Sequence, residues 1–143
     1  MVVVYSTRRY SSILIFQNER GGQMNLPHDH HNGSEYLSEK MPEAEDFQTV
    51  ASLFKQLSDA SRVRIFWLLC HTEECVLNIA ALVDMSSPAV AHHLKLLREA
   101  DLIIGRKEGK EVYYRATETP AAKALHRMIE QLMAISCPEE PQQ

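Results

Sequence analysis

Apolar positions recur with a helical period in five stretches of this chain and as two short strand-like runs near its middle. From Pro42 to about Leu57, Phe47, Val50, Phe54 and Leu57 form one face, and Leu53 widens it as a subunit contact would require. From Asp59 to Cys70, Val63, Ile65, Phe66, Trp67, Leu68 and Leu69 leave little polar surface, which predicts a buried central helix. Val76–Val83 is short and apolar. Asp84-Met85-Ser86 follows it, and Ser86 or Ser87 can cap the next helix with Pro88 in its first turn. Val90, Leu94 and Leu97 then fall at i, i+4 and i+7. The last helix runs from about Thr119 to Ser136, with Ala121, Leu125, Met128, Leu132 and Ile135 as a packing seam. Between them, Leu102-Ile103-Ile104 and Val112-Tyr113-Tyr114 flank a charged stretch holding Gly109, which predicts a β-hairpin.

The polar positions of the fourth helix change the picture. Opposite its apolar stripe stand Ser87, Ala91, His92, Lys95 and Arg98. That face is small at its start and basic further along. A helix entering a DNA major groove needs short residues for close approach and then donors for base edges and phosphates. A short helix, a tight turn and this helix make a helix-turn-helix, and the hairpin adds Arg106, Lys107 and Lys110 beside it as a basic wing. An ordinary helical hairpin with a solvated face is the competing reading of the pattern alone. His92 and His93 are adjacent, so they point about 100° apart on a helix and do not share an ion.

Four segments together resemble the ArsR/SmtB family of bacterial repressors. They are Leu57-Ser58-Asp59-Ala60-Ser61-Arg62-Val63-Arg64-Ile65, Glu74-Cys75-Val76, the run from Ser87 to Arg98, and Gly105-Arg106-Lys107-Glu108-Gly109-Lys110. The similarity extends from about Phe47 to Leu132. It implies a mainly α fold with a β-hairpin wing (α+β), a winged helix-turn-helix dimeric through its first and last helices. It also implies a homodimeric repressor that binds a palindromic operator in double-stranded DNA and leaves it when an inducer, usually a metal ion, binds. The expected DNA contacts are Ser87, Ala89, His92, His93, Lys95 and Arg98 from the helix and Arg106, Lys107 and Lys110 from the wing. Family members usually carry serine where Ala91 stands, which removes one hydrogen bond.

Composition bounds the rest. The 143 residues are 45% hydrophobic with a net charge of −4, so local patches rather than global basicity must bind a polyanion. Three cysteines without a paired framework fit a reducing, cytoplasmic setting, and no apolar run approaches a membrane span. The expected organisation is a flexible segment 1–41, a DNA-binding and dimerisation domain 42–136, and a flexible tail 137–143. In residues 1–23, Val2-Val3-Val4 and Ile13-Leu14-Ile15-Phe16 are too short for a signal core. Glu19-Arg20-Gly21-Gly22 can be encoded by a ribosome-binding sequence just upstream of Met24, so Met24 is expected to be the true start and 1–23 a mis-annotated leader. N-terminal sequencing of the natively expressed protein checks this.

Candidate metal chemistry lies in two places. His28, Asp29, His30 and His31 put four potential ligands in one row of the polar arm. Cys75 stands at a helix N-terminus, where negative charge is favoured and a thiol is expected to be reactive and accessible. The resemblance places a cysteine there with an acidic ligand three residues on, but Asn78 occupies that place and is a poor zinc ligand. The site implied is Cys75 of one protomer with two or three of the arm residues of the other, and Cys70 and His71 are in reserve. Mixed nitrogen and sulfur ligation favours Zn²⁺, with Co²⁺, Ni²⁺ or Cd²⁺ as alternatives. The family's second site, on the last helix, is expected to be absent: Glu118 matches, but Pro120, Gln131 and Ala134 occupy the other ligand places. His126 and Glu130, at i and i+4, read as a surface pair. A redox response through Cys75 with Cys70 or Cys137 is an alternative. An enzyme is not expected, because no zinc-hydrolase, phosphate-loop or nucleophile-elbow motif is present. A metal buffer would bind no operator.

Overall fold

The computed structural model describes residues 27–28 and 34–134. The chain divides between Pro42 and Glu43. On the N-terminal side, α1 (Ser34–Lys40) is a helix within the arm that the sequence reading left flexible. Lys40 lies over the Tyr36 ring, 4.5 Å from its centroid, a contact four residues apart that a helix brings together.

On the C-terminal side the order is α2 (Ala44–Gln56), α3 (Ala60–His71), β1 (Glu74–Cys75), α4 (Val76–Val83), α5 (Ser87–Glu99), β2 (Ile103–Glu108), β3 (Glu111–Ala116) and α6 (Pro120–Met133). Ser86 caps α5, as the sequence allows, and Asp59 and Thr119, where the sequence begins α3 and α6, cap those helices. Asp59 accepts from the Arg62 backbone N–H at 2.9 Å, Ser86 Oγ from Ala89 N at 3.4 Å, and Thr119 Oγ1 from Ala122 N at 3.2 Å. The α4 and α5 helices both end with an aspartate in the left-handed region. Asp84 has φ 55° and Asp101 φ 56°. In each case the next N–H reaches back five residues: Met85 to Ala80 and Leu102 to Leu97, both at 3.0 Å.

The core lies where α3 is crossed by its neighbours. Ile65, Phe66 and Leu69 of α3 are buried against Ile79 and Val83 of α4, Val90, Leu94 and Leu97 of α5, and Leu125 and Ile129 of α6. Two arginines of α3 tie neighbouring helix ends to it. Arg64 Nη1 and Nη2 donate to the Val83 and Leu82 carbonyls at 3.0 and 3.2 Å. Arg62 Nε donates to the Gln56 carbonyl at the end of α2. Both meet carbonyls that a helix end leaves unpaired.

The sheet has the order β1-β3-β2, antiparallel throughout. Its hairpin turns at Gly109, whose φ of +60° suits glycine, with Glu108 opposite Glu111. The strands extend past the apolar runs, so Arg106 and Lys107 belong to β2 rather than to a loop. The extra strand β1 was not foreseen: Cys75 sits opposite Tyr113 and Glu74 opposite Tyr114. Two residues carry too short a pattern to read as a strand, and only the partner edge of β3 makes them one. On α6 the buried stripe is Ala122, Leu125 and Ile129, while Leu132 is 79% exposed. The expected seam through Leu132 is therefore not closed within one chain. Phe47, Val50 and Phe54 of α2 are likewise exposed. Among the described residues, no helix is long and apolar enough to cross a membrane.

Candidate nucleic-acid interface and metal ligands

Helix α5 presents the face expected of a reading helix. Its stripe Val90, Leu94 and Leu97 is buried, and His92, Lys95 and Arg98 are exposed. Ser87 and Ala89, in the first turn, are half-buried. Lys95 Nζ lies 3.9 Å from Glu99 Oε1, an exposed pair four residues apart that competing phosphate can displace.

Two expected DNA contacts are placed differently. The His93 side chain is 13% exposed and its Nδ1 lies 3.9 Å from Asp59 Oδ1, so it packs toward the start of α3 rather than along the open face. That Nδ1 is buried without a hydrogen-bond partner among the described residues. Arg106 is paired with Glu73 and Glu108, and its guanidinium lies 5.5 Å from the Tyr113 ring centroid. The hydrogen bond to Glu73, with Glu108 adding to it, raises its pKa further. Glu73 also holds Arg115, Oε2 to Nε at 3.6 Å. Arg106 thus fastens the hairpin to the segment before α4, because an opposite charge is already at hand. Lys107 and Lys110 are exposed beside it on the wing.

Of the expected metal ligands, His28, Cys70, His71 and Cys75 fall among the described residues. Cys75 is 7% exposed, packed under the hairpin through its pairing with Tyr113. This corrects the expectation of an accessible thiol: a helix N-terminus is electropositive, but β3 covers this one. The Asn78 amide donates to Glu74 Oε2 at 2.7 Å and is engaged locally. The residues at this place thus do not fit an ion on their own. His28 is exposed, while Asp29, His30 and His31 lie outside the described residues, as do 1–23, Met24, Cys137 and the tail. Cys70 is half-buried.

A different group converges. His71 at the end of α3 meets His126 and Glu130 of α6. The reserve ligand of α3 and the expected surface pair of α6 are one cluster. Their separation of 55 residues leaves no signal in local spacing. Glu118, the remaining acidic candidate, is exposed and pairs with Lys123 at 3.1 Å.

The bacterial regulatory protein arsR family matches residues 59–104. The transcriptional repressor SmtB homolog of Synechocystis sp. is 33% identical over 98 residues, 68% of this chain and 74% of that protein. The chain belongs to the ArsR/SmtB family. The arsenical resistance operon repressor of Escherichia coli is 45% identical over 64 residues, 44% of this chain. The chain spans 55% of that repressor and 54% of the cadmium resistance regulatory protein CadC homolog of Staphylococcus aureus, so it covers just over half the length of these relatives. Among solved structures, a homodimeric winged helix-turn-helix DNA-binding domain from Mycobacterium bovis matches with TM-score 0.56 and 28% identity, over 66% of this chain and 85% of that one. The family and this solved neighbour are named as transcriptional regulators, or possible ones, and DNA-binding domains. The region from Asp59 to Ile104 that matches the family carries α3, both helices of the helix-turn-helix and the start of the wing.

Proposed function

We propose that this ArsR/SmtB-family chain is a transcriptional repressor that binds a palindromic operator as a homodimer and loosens its hold when a metal ion binds, Zn²⁺ being the favoured inducer. One observation carries the DNA-binding part. The α5 helix is capped, docked by a fully buried stripe and set directly after α4, with His92, Lys95 and Arg98 on its open face. Lys107 and Lys110 supply cations for flanking phosphates. The exposed apolar positions of α2 and α6 support a dimer, as does the homodimeric M. bovis domain. The metal part is supported by relatives named for arsenical and cadmium resistance.

Fluorescence anisotropy on the DNA upstream of the chain's own gene tests this reading, at fixed salt, with chelator and then with added Zn²⁺. Tight binding is expected in chelator, and metal should weaken it at least tenfold, because coupling energies between two sites commonly reach 1–3 kcal/mol or about 5–150-fold. Lys95→Ala should weaken binding on every sequence and flatten its salt dependence by about two ions per dimer, one for each protomer. Equal affinity for this DNA and for a random duplex would overturn the reading.

A further inference from the structure

The contacts of His71, His126 and Glu130 form a triangle. His71 Nε2 to His126 Nε2 is 3.1 Å, His126 Nε2 to Glu130 Oε1 is 3.2 Å, and His71 Nε2 to Glu130 Oε1 is 3.4 Å. Three ligand atoms on one face of a tetrahedral ion with bonds of about 2.0–2.1 Å stand roughly 3.3–3.4 Å apart. The edges are nearly equal and close to that value. The three side chains are between 13% and 21% exposed, so the group is partly withdrawn from water yet open on one side. That side borders a cleft of about 400 Å³ lined by His71, His126, Cys70, Thr72 and Thr117 among others.

With Glu130 ionised, protons alone leave one edge of this triangle unfavourable. With one proton on an Nε2, the other imidazole turns a lone pair toward the carboxylate. With a proton on each Nε2, two N–H groups face one another along the 3.1 Å edge. A single cation above the centre accepts a lone pair from all three atoms at once. The carboxylate is also held in place: Trp67 Nε1 donates to Glu130 Oε1 at 3.3 Å. The Trp67 ring packs on His71 with centroids 4.6 Å apart, and His71 meets His126 edge-on at 4.8 Å. Ligands oriented by neighbours in this way lose little freedom on binding.

We propose that His71, His126 and Glu130 bind a divalent transition-metal ion, Zn²⁺ in preference, through two nitrogens and one oxygen, with the fourth position open to the cleft. The ion clamps α6 onto α3. Since α3 carries the core on which α5 docks and α6 carries the exposed Leu132, the clamp joins the reading helix to the apolar face. Its use as the inducer's site rests on the repressor reading, whereas binding itself does not.

The sole tryptophan, Trp67, is the reporter. The chelator-treated full chain is titrated with Zn²⁺ while Trp67 emission is followed, and with Co²⁺ while the visible spectrum is followed. One ion per chain, a saturating emission change and a four-coordinate Co²⁺ spectrum without a thiolate charge-transfer band are expected. His126→Gln and Glu130→Gln should each weaken binding at least tenfold. Cys75→Ser should leave the spectrum unchanged. No response of emission or of Co²⁺ absorption in the wild-type chain would overturn the site, as would a thiolate band that Cys75→Ser abolishes. These readouts need no DNA. Failure of the site and failure of the repressor reading, which shows as absent operator binding in chelator, are therefore distinguishable.

Discussion

Asp59 shows what one side chain does in this chain. Its carboxylate accepts the Arg62 backbone N–H at 2.9 Å at the start of α3 and faces His93 at 3.9 Å. The hydrogen bond from Arg62, followed by the charge of His93 and opposed by partial desolvation, holds its pKa below the usual carboxylate value. A carboxylate whose folded pKa is depressed contributes stability above its unfolded pKa, and that contribution is lost as pH falls through the folded value. Asp59→Asn should therefore destabilise the protein in urea melts at about pH 7, and its deficit should shrink as the pH falls below the usual carboxylate range. A deficit that grows with acid would show that the charge is not the stabilising feature. Arg106 makes the matching point for a cation. It looks from the sequence like a wing-tip donor, and the fold sets it between Glu73 and Glu108 while leaving its side chain 55% exposed.

At the level of the element, α4 and α5 are held by their ends as much as by their stripes. Both begin at a residue with extended backbone, Cys75 and Ser86, and both end at an aspartate with positive φ. A side chain in that region costs roughly 1–2 kcal/mol, less for aspartate than for most residues. Asp101 is exposed, and its N–H makes a 3.0 Å bond to the Arg98 carbonyl that glycine retains. Asp101→Gly should therefore raise stability by about 0.5–1 kcal/mol. A chemical-denaturation midpoint that moves down instead would mean that the aspartate side chain supports the turn. At the hairpin the constraint runs the other way. A Cβ on Gly105 would sit 3.0 Å from Val112 Cγ1 and 3.1 Å from Tyr114 Cε1, so glycine there permits the close approach of β2 to β3.

Among the described residues, α2 and the end of α6 each leave apolar side chains in water. Phe47, Val50 and Phe54 are about half exposed, and Leu132 is 79% exposed. Apolar residues spaced on one face of a helix and left in water mark a surface for another chain. With a second copy as that chain, Phe54→Glu should convert the dimer to monomer in sedimentation velocity and reduce operator affinity through loss of the second half-site. Unchanged sedimentation of Phe54→Glu would place the dimer contact elsewhere. The metal clamp belongs to this scale too, because it connects two helices rather than decorating one.

What the sequence alone determined is what local spacing carries. The α4 and α5 helices, the Ser86 cap, the buried stripe Val90, Leu94 and Leu97, and the glycine turn at Gly109 all follow from residues within a few positions of one another. The family resemblance from Phe47 to Leu132 rests on the same local order. Contacts between distant positions could not be read this way. Cys75 is electropositively placed by its own helix but is buried in the strand that pairs it with Tyr113, 38 positions on in β3. His93 and Arg106 carry the right chemistry for DNA, and only the fold shows that Asp59 lies beside the first and Glu73 pairs with the second. His126 and Glu130 are a plain i, i+4 pair in the sequence. Only the packing of α6 on α3 brings His71 to complete the triangle, because three ligands around one ion is a statement about distance in space.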